Sequence, residues 1–333
     1  MPHQPICLHA PEAAAQLPQL TAFQRSLDLN RIYVKGRVRE SGNRHRLRVL
    51  SWNIERGHAP QRLAETLCVI RPDIACLQEV DWGNERTGAT DVLEFLAETT
   101  GMLGLYSIEF LEIPSPLRNR RLAGGGATGN ALLTRLEPSV AFRLPLPPCL
   151  DWQASDAASG LSRPARRSLQ REPRIGQRFG LGAEIRVGAQ RLRLCSLHLE
   201  DKQGGIAGRW AQYMAAATAL DPAGEAVTCV IAGDFNTFDS RLARLLTGDN
   251  DASALGMPAR MTEARWWRTA LLPRTGYVDP FPNSAWTFAL TPLFHVKLDW
   301  ITTKGCVVGG FGVGPFSSSD HRPIWVDLYL PAA

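Results

Sequence analysis

The chain reads as an α/β fold with mixed sheets, and three observations predict it. Short apolar runs of strand length recur from Leu47 onward, and stretches with apolar residues at helical spacing separate several of them. Arg178–Leu199 reads as an antiparallel hairpin turning at Gly188–Gln190, which argues against a purely parallel sheet. At 333 residues, one large domain or two modest ones could bury a sizeable core without disulfides or a structural metal.

In chain order, residues 1–45 are expected to be an irregular extension rich in Pro, Gln and Arg, in which only Arg31–Val38 could pair as a strand. The folded domain is expected over 46–333. Leu47–Trp52 is a buried-strand run, and Ala59–Ile70 has helical spacing through Leu63, Leu67 and Ile70 that stops at Arg71–Pro72. Ile74–Leu77 is the next strand and Asp91–Thr100 a helix. Strands are then expected at Asn130–Thr134, Phe179–Val187, Arg191–Leu199 and Val227–Ala232, with a helix over Arg209–Leu220. Val296–Thr302 and Pro323–Tyr329 are the last strands, and Pro145–Gln177 is a long polar loop.

A hydrophobic share of 44% and a charged share of 21% belong to an ordinary soluble globular protein. Met1–Leu20 lacks the pattern of a secretory signal, and no apolar run is long enough to span a bilayer. The seven cysteines form no CxxC pair and several lie in apolar runs, as reduced buried thiols do, so a cytoplasmic location is expected. A monomer is the expected state. The net charge of +5 is mild, but arginines cluster. Arg163, Arg166, Arg167, Arg171, Arg174 and Arg178 face one acid, Glu172, and Arg118, Arg120 and Arg121 form a second group. Such patches suit a phosphate-bearing or polyanionic partner; the competing reading is a solvated loop.

The chemistry is concentrated where apolar strands end. Leu50–Trp52 runs into Asn53-Ile54-Glu55, Ile74–Leu77 into Gln78-Glu79, Leu194–Leu197 into His198-Leu199-Glu200, and Val230–Ala232 into Gly233-Asp234-Phe235-Asn236. The chain closes with Lys297-Leu298-Asp299-Trp300 and Ser318-Ser319-Asp320-His321. Strand ends are where α/β proteins converge side chains on a site. Oxygen donors such as Asn53, Glu79 and Asp320 suit a hard cation, Mg2+ or Mn2+, better than zinc.

These segments, in this order, resemble the endonuclease/exonuclease/phosphatase superfamily, which includes apurinic endonucleases, pancreatic-type deoxyribonucleases, neutral sphingomyelinases and inositol phosphatases. The resemblance runs from about Leu47 to Leu330. It implies a four-layer α/β sandwich, two packed mixed sheets flanked by helices, and a metal-dependent phosphodiesterase using an activated water. It also implies Glu79 as the metal-binding glutamate with Asn53 and Asp320 nearby, and Asp234 and Asn236 as the pair that positions and activates the water. His321 with Asp299, and His198, become the histidines of the phosphate site. Asn130 is a candidate phosphate contact, and Arg174 is balanced between phosphate contact and plain salt bridging. Glu55 departs from the shorter residue of repair nucleases and is placed at the metal, either as a direct ligand or displacing a water.

Ser319-Asp320-His321 does not make a serine triad, since adjacent residues rarely face one another and no GxSxG elbow exists. Gly124–Gly126 lacks the GK[ST] ending of a phosphate loop and reads as a flexible entry to the strand at Asn130. Arg209 and Gln212 read as braces for the site loop, and Trp266, Trp267 and Trp286 as packing. Ile113–Arg121 does not match the corresponding loop of apurinic endonucleases. The expected substrate is a phosphate ester, and the arginine-rich loops favour nucleic acid over a lipid headgroup or small molecule. A binding protein that lost catalysis on the same scaffold is the remaining alternative.

Overall fold

The structure is a computed structural model that describes residues 20–38, 46–149, 171–201, 204–221, 227–237, 256–258, 260–282, 284–291, 294–316 and 318–331. Its strands in chain order are β1 Ile32–Gly36, β2 Arg46–Arg56, β3 Ile74–Trp82, β4 Leu103–Glu112, β5 Ala127–Thr134, β6 Pro138–Pro145, β7 Arg174–Gly176 and β8 Phe179–Val187. There follow β9 Gln190–His198, β10 Thr228–Asp234, β11 Phe288–Thr291, β12 Phe294–Val296, β13 Asp299–Lys304, β14 Val307–Val313 and β15 Ile324–Tyr329. The first sheet has the order β1-β4-β5-β3-β2-β15-β14, with β7 paired to β4, and the second the order β13-β10-β9-β8-β6. Both are mixed: β2 runs parallel to β3 and β9 parallel to β10, among otherwise antiparallel neighbours.

Side-chain alternation makes the four layers. Leu47, Val49, Ile74 and Cys76 of the first sheet meet Leu192, Leu194, Val230 and Ala232 of the second in one buried cluster between the sheets. Leu50, Trp52, Ala75 and Leu77 point the other way, onto the helices Pro60–Ile70 and Val92–Thr100. Cys195, Leu197, Cys229 and Ile231 cover the outer face of the second sheet against the helix Gly205–Leu220 and against Trp266–Leu272. The first helix stops at Arg71, which takes a left-handed conformation before Pro72, and Asp91 caps the second by accepting from the Glu94 N–H. No helix among the described residues is long and apolar enough to cross a membrane.

Several boundaries differ from the sequence expectation for physical reasons. Within the expected extension 1–45, the strand allowed at Arg31–Val38 is β1, paired antiparallel with β4, but Leu20 also joins the core and buried Gln24 donates to the carbonyls of Glu112 and Gly126. Val296–Thr302 is divided by Lys297 and Leu298 into β12 and β13. β4 is buried throughout in spite of Glu109 and Glu112, whose charges disguised it. Gly124–Gly126 is tightly packed: a Cβ on Gly126 would lie 2.3 Å from the Gly83 carbonyl carbon. Residues 150–170 of the long polar loop lie outside the described residues.

Candidate active site

Strand register brings the site together. Because β2 and β3 are parallel, Asn53 and Gln78 are partners at the same edge, and the pairing slips immediately afterwards. Glu55, Arg56 and Glu79 take positive φ there (47°, 66° and 55°), an uncommon conformation for side-chain-bearing residues, where the regular ladder breaks. In the second sheet, Asp234 is the register partner of both His198 and Asp299, so three adjacent strands present one row. Gly233 precedes Asp234 with φ 154°, and a Cβ there would lie 1.8 Å from the Leu197 carbonyl oxygen, so only glycine fits. The two edges are tied by Asn53 Nδ2 donating to Asp234 Oδ2 at 3.0 Å and Gln78 Nε2 donating to Ser196 Oγ at 2.9 Å.

The loop before β15 carries Asp320 and His321 over this seam. Ser319 Oγ donates to the Asn53 carbonyl at 2.7 Å and accepts from the His321 N–H at 3.0 Å, so the serine is a loop fastener. Trp52 Nε1 donates to the His321 carbonyl at 3.0 Å. His321 Nδ1 lies 2.7 Å from Asp299 Oδ2, while its Nε2 faces Asp234 Oδ2 at 3.8 Å. Burial opposes charge on this imidazole, but Asp299, Asp234 and the Asp299 hydrogen bond outweigh it and raise its pKa above the ordinary histidine value. His198 Nε2 faces Glu79 Oε1 at 3.9 Å and Asp234 Oδ2 at 3.7 Å. Its Nδ1 is 3.3 Å from Glu109 Oε2, and Glu109 is held in turn by Arg178 at 3.0 Å. Asn236, with φ 51°, donates its side-chain amide to the Leu199 carbonyl and its backbone N–H to Asp234 Oδ1.

The donor chemistry on the β2–β3 side fits a divalent cation. Burial would neutralise Glu79, yet Arg56, 3.0 Å away, with His198 and His321, holds its carboxyl far below the usual range, so it is an anion. Burial pushes Asp320 up to about 6; His321 opposes this, and the neighbouring charges of Glu79 and Glu55 add to it. Such crowding of carboxylates is what a bound cation relieves. Glu55 Oε2 accepts the Asp320 N–H at 3.0 Å, which joins the two acids. Asp234, Asp299 and His321 also bring one possible ligand atom each within 4.8 Å of one another. Within that group His321 Nδ1 is engaged by Asp299 Oδ2 and Asp234 Oδ2 accepts from Asn53, while buried Asp299 Oδ1 has no hydrogen-bond partner among the described residues; the paired imidazole and carboxylate suit proton handling.

Not every candidate joins this cluster. Asn130 is fully buried on β5, where its Nδ2 donates to the Phe179 carbonyl at 3.3 Å. Arg174 lies on β7 with its guanidinium 4.6 Å from the Phe110 ring centroid, among the charges of Glu112, Arg178, Glu172 and Arg56. The described arginines of the two clusters are divided between the interior and the surface. Arg118 and Arg178 turn inward onto Glu112 and onto Glu109 and Glu200, while Arg163, Arg166 and Arg167 lie outside the described residues. Glu109 and Arg56 escaped sequence reading; two acids inside the otherwise apolar run Leu103–Glu112 were the available signal. Arg209 forms a two-point pair with Glu263 and donates to the Asp201 carbonyl, and Gln212 accepts from the Glu200 N–H. Trp266 and Trp267 are core, and Trp286 stacks on His295.

A search of curated proteins found no match. Among solved structures, an endonuclease/exonuclease/phosphatase from Beutenbergia cavernae DSM 12333 is similar at 19% identity and TM-score 0.60, over 87% of this chain and 73% of that one. Humanized D. rerio TDP2 is similar at 14% identity and TM-score 0.52, over 86% and 99%. The human nocturnin catalytic domain is similar at 15% identity and TM-score 0.51, over 85% and 93%. These likenesses are of fold. The description of the Endonuclease/Exonuclease/phosphatase family matches residues 50–321, which takes in every strand-end motif from Asn53 to His321. With that span matched and the four-layer sandwich in place, the chain belongs to the endonuclease/exonuclease/phosphatase family.

Proposed function

We propose that the protein is a Mg2+- or Mn2+-dependent phosphodiesterase that cleaves a phosphate ester by in-line attack of water. The observation that carries this reading is the seam itself: Asn53, Asp234 and His321 meet where two sheet edges close, with Glu79 ionised beside them. Glu79, Asn53, Glu55 and Asp320 would hold the cation, which supplies positive charge to the phosphate oxygens. Asp234, oriented through Oδ1 by the Asn236 N–H, accepts the proton of the attacking water. His321, kept cationic by Asp299, and His198, oriented by Glu109, face the charge that grows on the nonbridging oxygens. General-base assistance of this kind contributes about 10²–10⁴-fold in rate.

Nucleic acid is the favoured substrate, now on the narrower support of the exposed arginines Arg120, Arg121 and Arg171. A competitive panel of single- and double-stranded DNA, RNA, sphingomyelin and inositol phosphates with Mg2+ or Mn2+ tests the reading. Cleavage of a polynucleotide, abolished by chelator and steeply salt-sensitive, is the expected result. Preferential cleavage of sphingomyelin micelles would replace the nuclease reading, and cleavage of nothing in the panel would remove the phosphodiesterase.

A further inference from the structure

The loop between β4 and β5 is a braced structure. Arg118 ties it down by donating to the carbonyls of Ile113, Leu122 and Pro173 and to Glu112 Oε2. Asn119 Oδ1 accepts the Leu122 N–H to cap the single turn Arg120–Leu122, and the Glu85 N–H donates to the Gly124 carbonyl at 3.0 Å. The turn presents two arginines to solvent. Arg121 is 78% exposed with its guanidinium 3.1 Å from Glu55 Oε1, at the cation side of the site. Arg120, next to it, lines a cleft of about 430 Å³ with Ser115, Pro116, Arg118 and Asn119. A loop fixed this firmly holds a charged fork at one place beside the scissile position. The Arg121–Glu55 pair is screened by solvent, so a substrate phosphate can compete for the guanidinium.

We propose that Arg121, with Arg120 behind it, binds a second phosphate of the substrate, so that the preferred substrate carries at least two phosphate groups. This deepens the phosphodiesterase reading and rests on it for the position of the scissile phosphate. The second phosphate could belong to a polynucleotide backbone or to a compact bisphosphate.

Binding separates these cases without relying on turnover. Calorimetry in Ca2+, in place of the Mg2+ or Mn2+ that would support cleavage, compares thymidine 5′-monophosphate, thymidine 3′,5′-bisphosphate and pentathymidylate on wild type, Arg121→Ala, Arg121→Lys and Arg62→Ala. Arg62 is an exposed arginine on the helix Pro60–Ile70 and controls for net charge. Wild type is expected to prefer the two ligands with more than one phosphate, and Arg121→Ala to close that gap by about ten-fold, the scale of one charge-assisted hydrogen bond. Arg121→Lys should keep part of the gap and Arg62→Ala all of it. Loss confined to pentathymidylate assigns the second phosphate to a polynucleotide; loss with both ligands assigns it to any bisphosphate. Equal weakening of all three ligands would place the effect at Glu55 and overturn the proposal, as would no weakening. Failure to hydrolyse a bis-aryl phosphodiester would sink the catalytic reading and leave this binding result standing.

Discussion

At the scale of single residues, the proposed chemistry depends on one histidine being held cationic in a buried place. The pKa of His321 is raised because Asp299 and Asp234 outweigh burial. A raised histidine pKa means that the cation is present at low and neutral pH and is lost as pH rises through the folded-state value. The wild-type kcat should therefore fall on the alkaline side, and Asp299→Asn should move that fall toward neutrality while lowering kcat about 10²-fold. A pH–kcat profile checks both; an alkaline limb that does not move would remove Asp299 as the partner that charges His321. Asp234 stood out in the sequence because it ends the apolar run Val230–Ala232, whereas Asp299 and His321 stood out only through the order of the motifs. The hold of Glu109 on His198 was not legible, because the two lie 89 positions apart and only folding brings them to 3.3 Å.

Elements explain why the site edge is rigid. β4 is buried along its length, and its two acids anchor the arginines that surround the site. Burial opposes the charge of Glu112, yet Arg86, Arg56 and Arg118 hold its carboxyl down at about 2. A depressed carboxyl contributes stability above its unfolded pKa and loses it as pH falls through the folded value, here between about 4.5 and about 2. Glu112→Gln leaves buried arginines short of a partner and should cost about 3 kcal/mol at pH 7, with a flatter loss of stability on acidification. Urea midpoints at pH 7 and pH 3.5 give the answer; equal slopes for the two proteins would contradict the network. Gly126→Ala should cost about 2 kcal/mol, since its Cβ would meet the backbone of Trp82–Asn84 and not a movable side chain. An unchanged thermal midpoint would show that this backbone gives way. The sequence suggested a flexible glycine entry here because glycine signals freedom and close packing alike.

At the scale of the molecule, two sheets with one parallel pair each bring the ends of β2, β3, β9 and β10 to a common seam. The run of motifs from Asn53 to His321 made that convergence readable before the fold was known. Which face meets the other sheet was not readable from alternation, since both faces of β2 are apolar, Leu47 and Val49 on one and Leu50 and Trp52 on the other. The inward turn of Arg118 and Arg178 was hidden for a related reason: their partners Glu112 and Glu109 sit on β4, and local charge counting does not see them. The central claim is that this seam is one metal-dependent phosphoester-cleaving centre. The most direct measurement titrates Mn2+ against hydrolysis of a bis-aryl phosphodiester by wild type, Asp234→Asn and His321→Ala. The account predicts saturable metal-dependent turnover in wild type and a kcat lower by roughly 10²-fold or more in each variant. Metal-independent turnover, or variants indistinguishable from wild type, would contradict it.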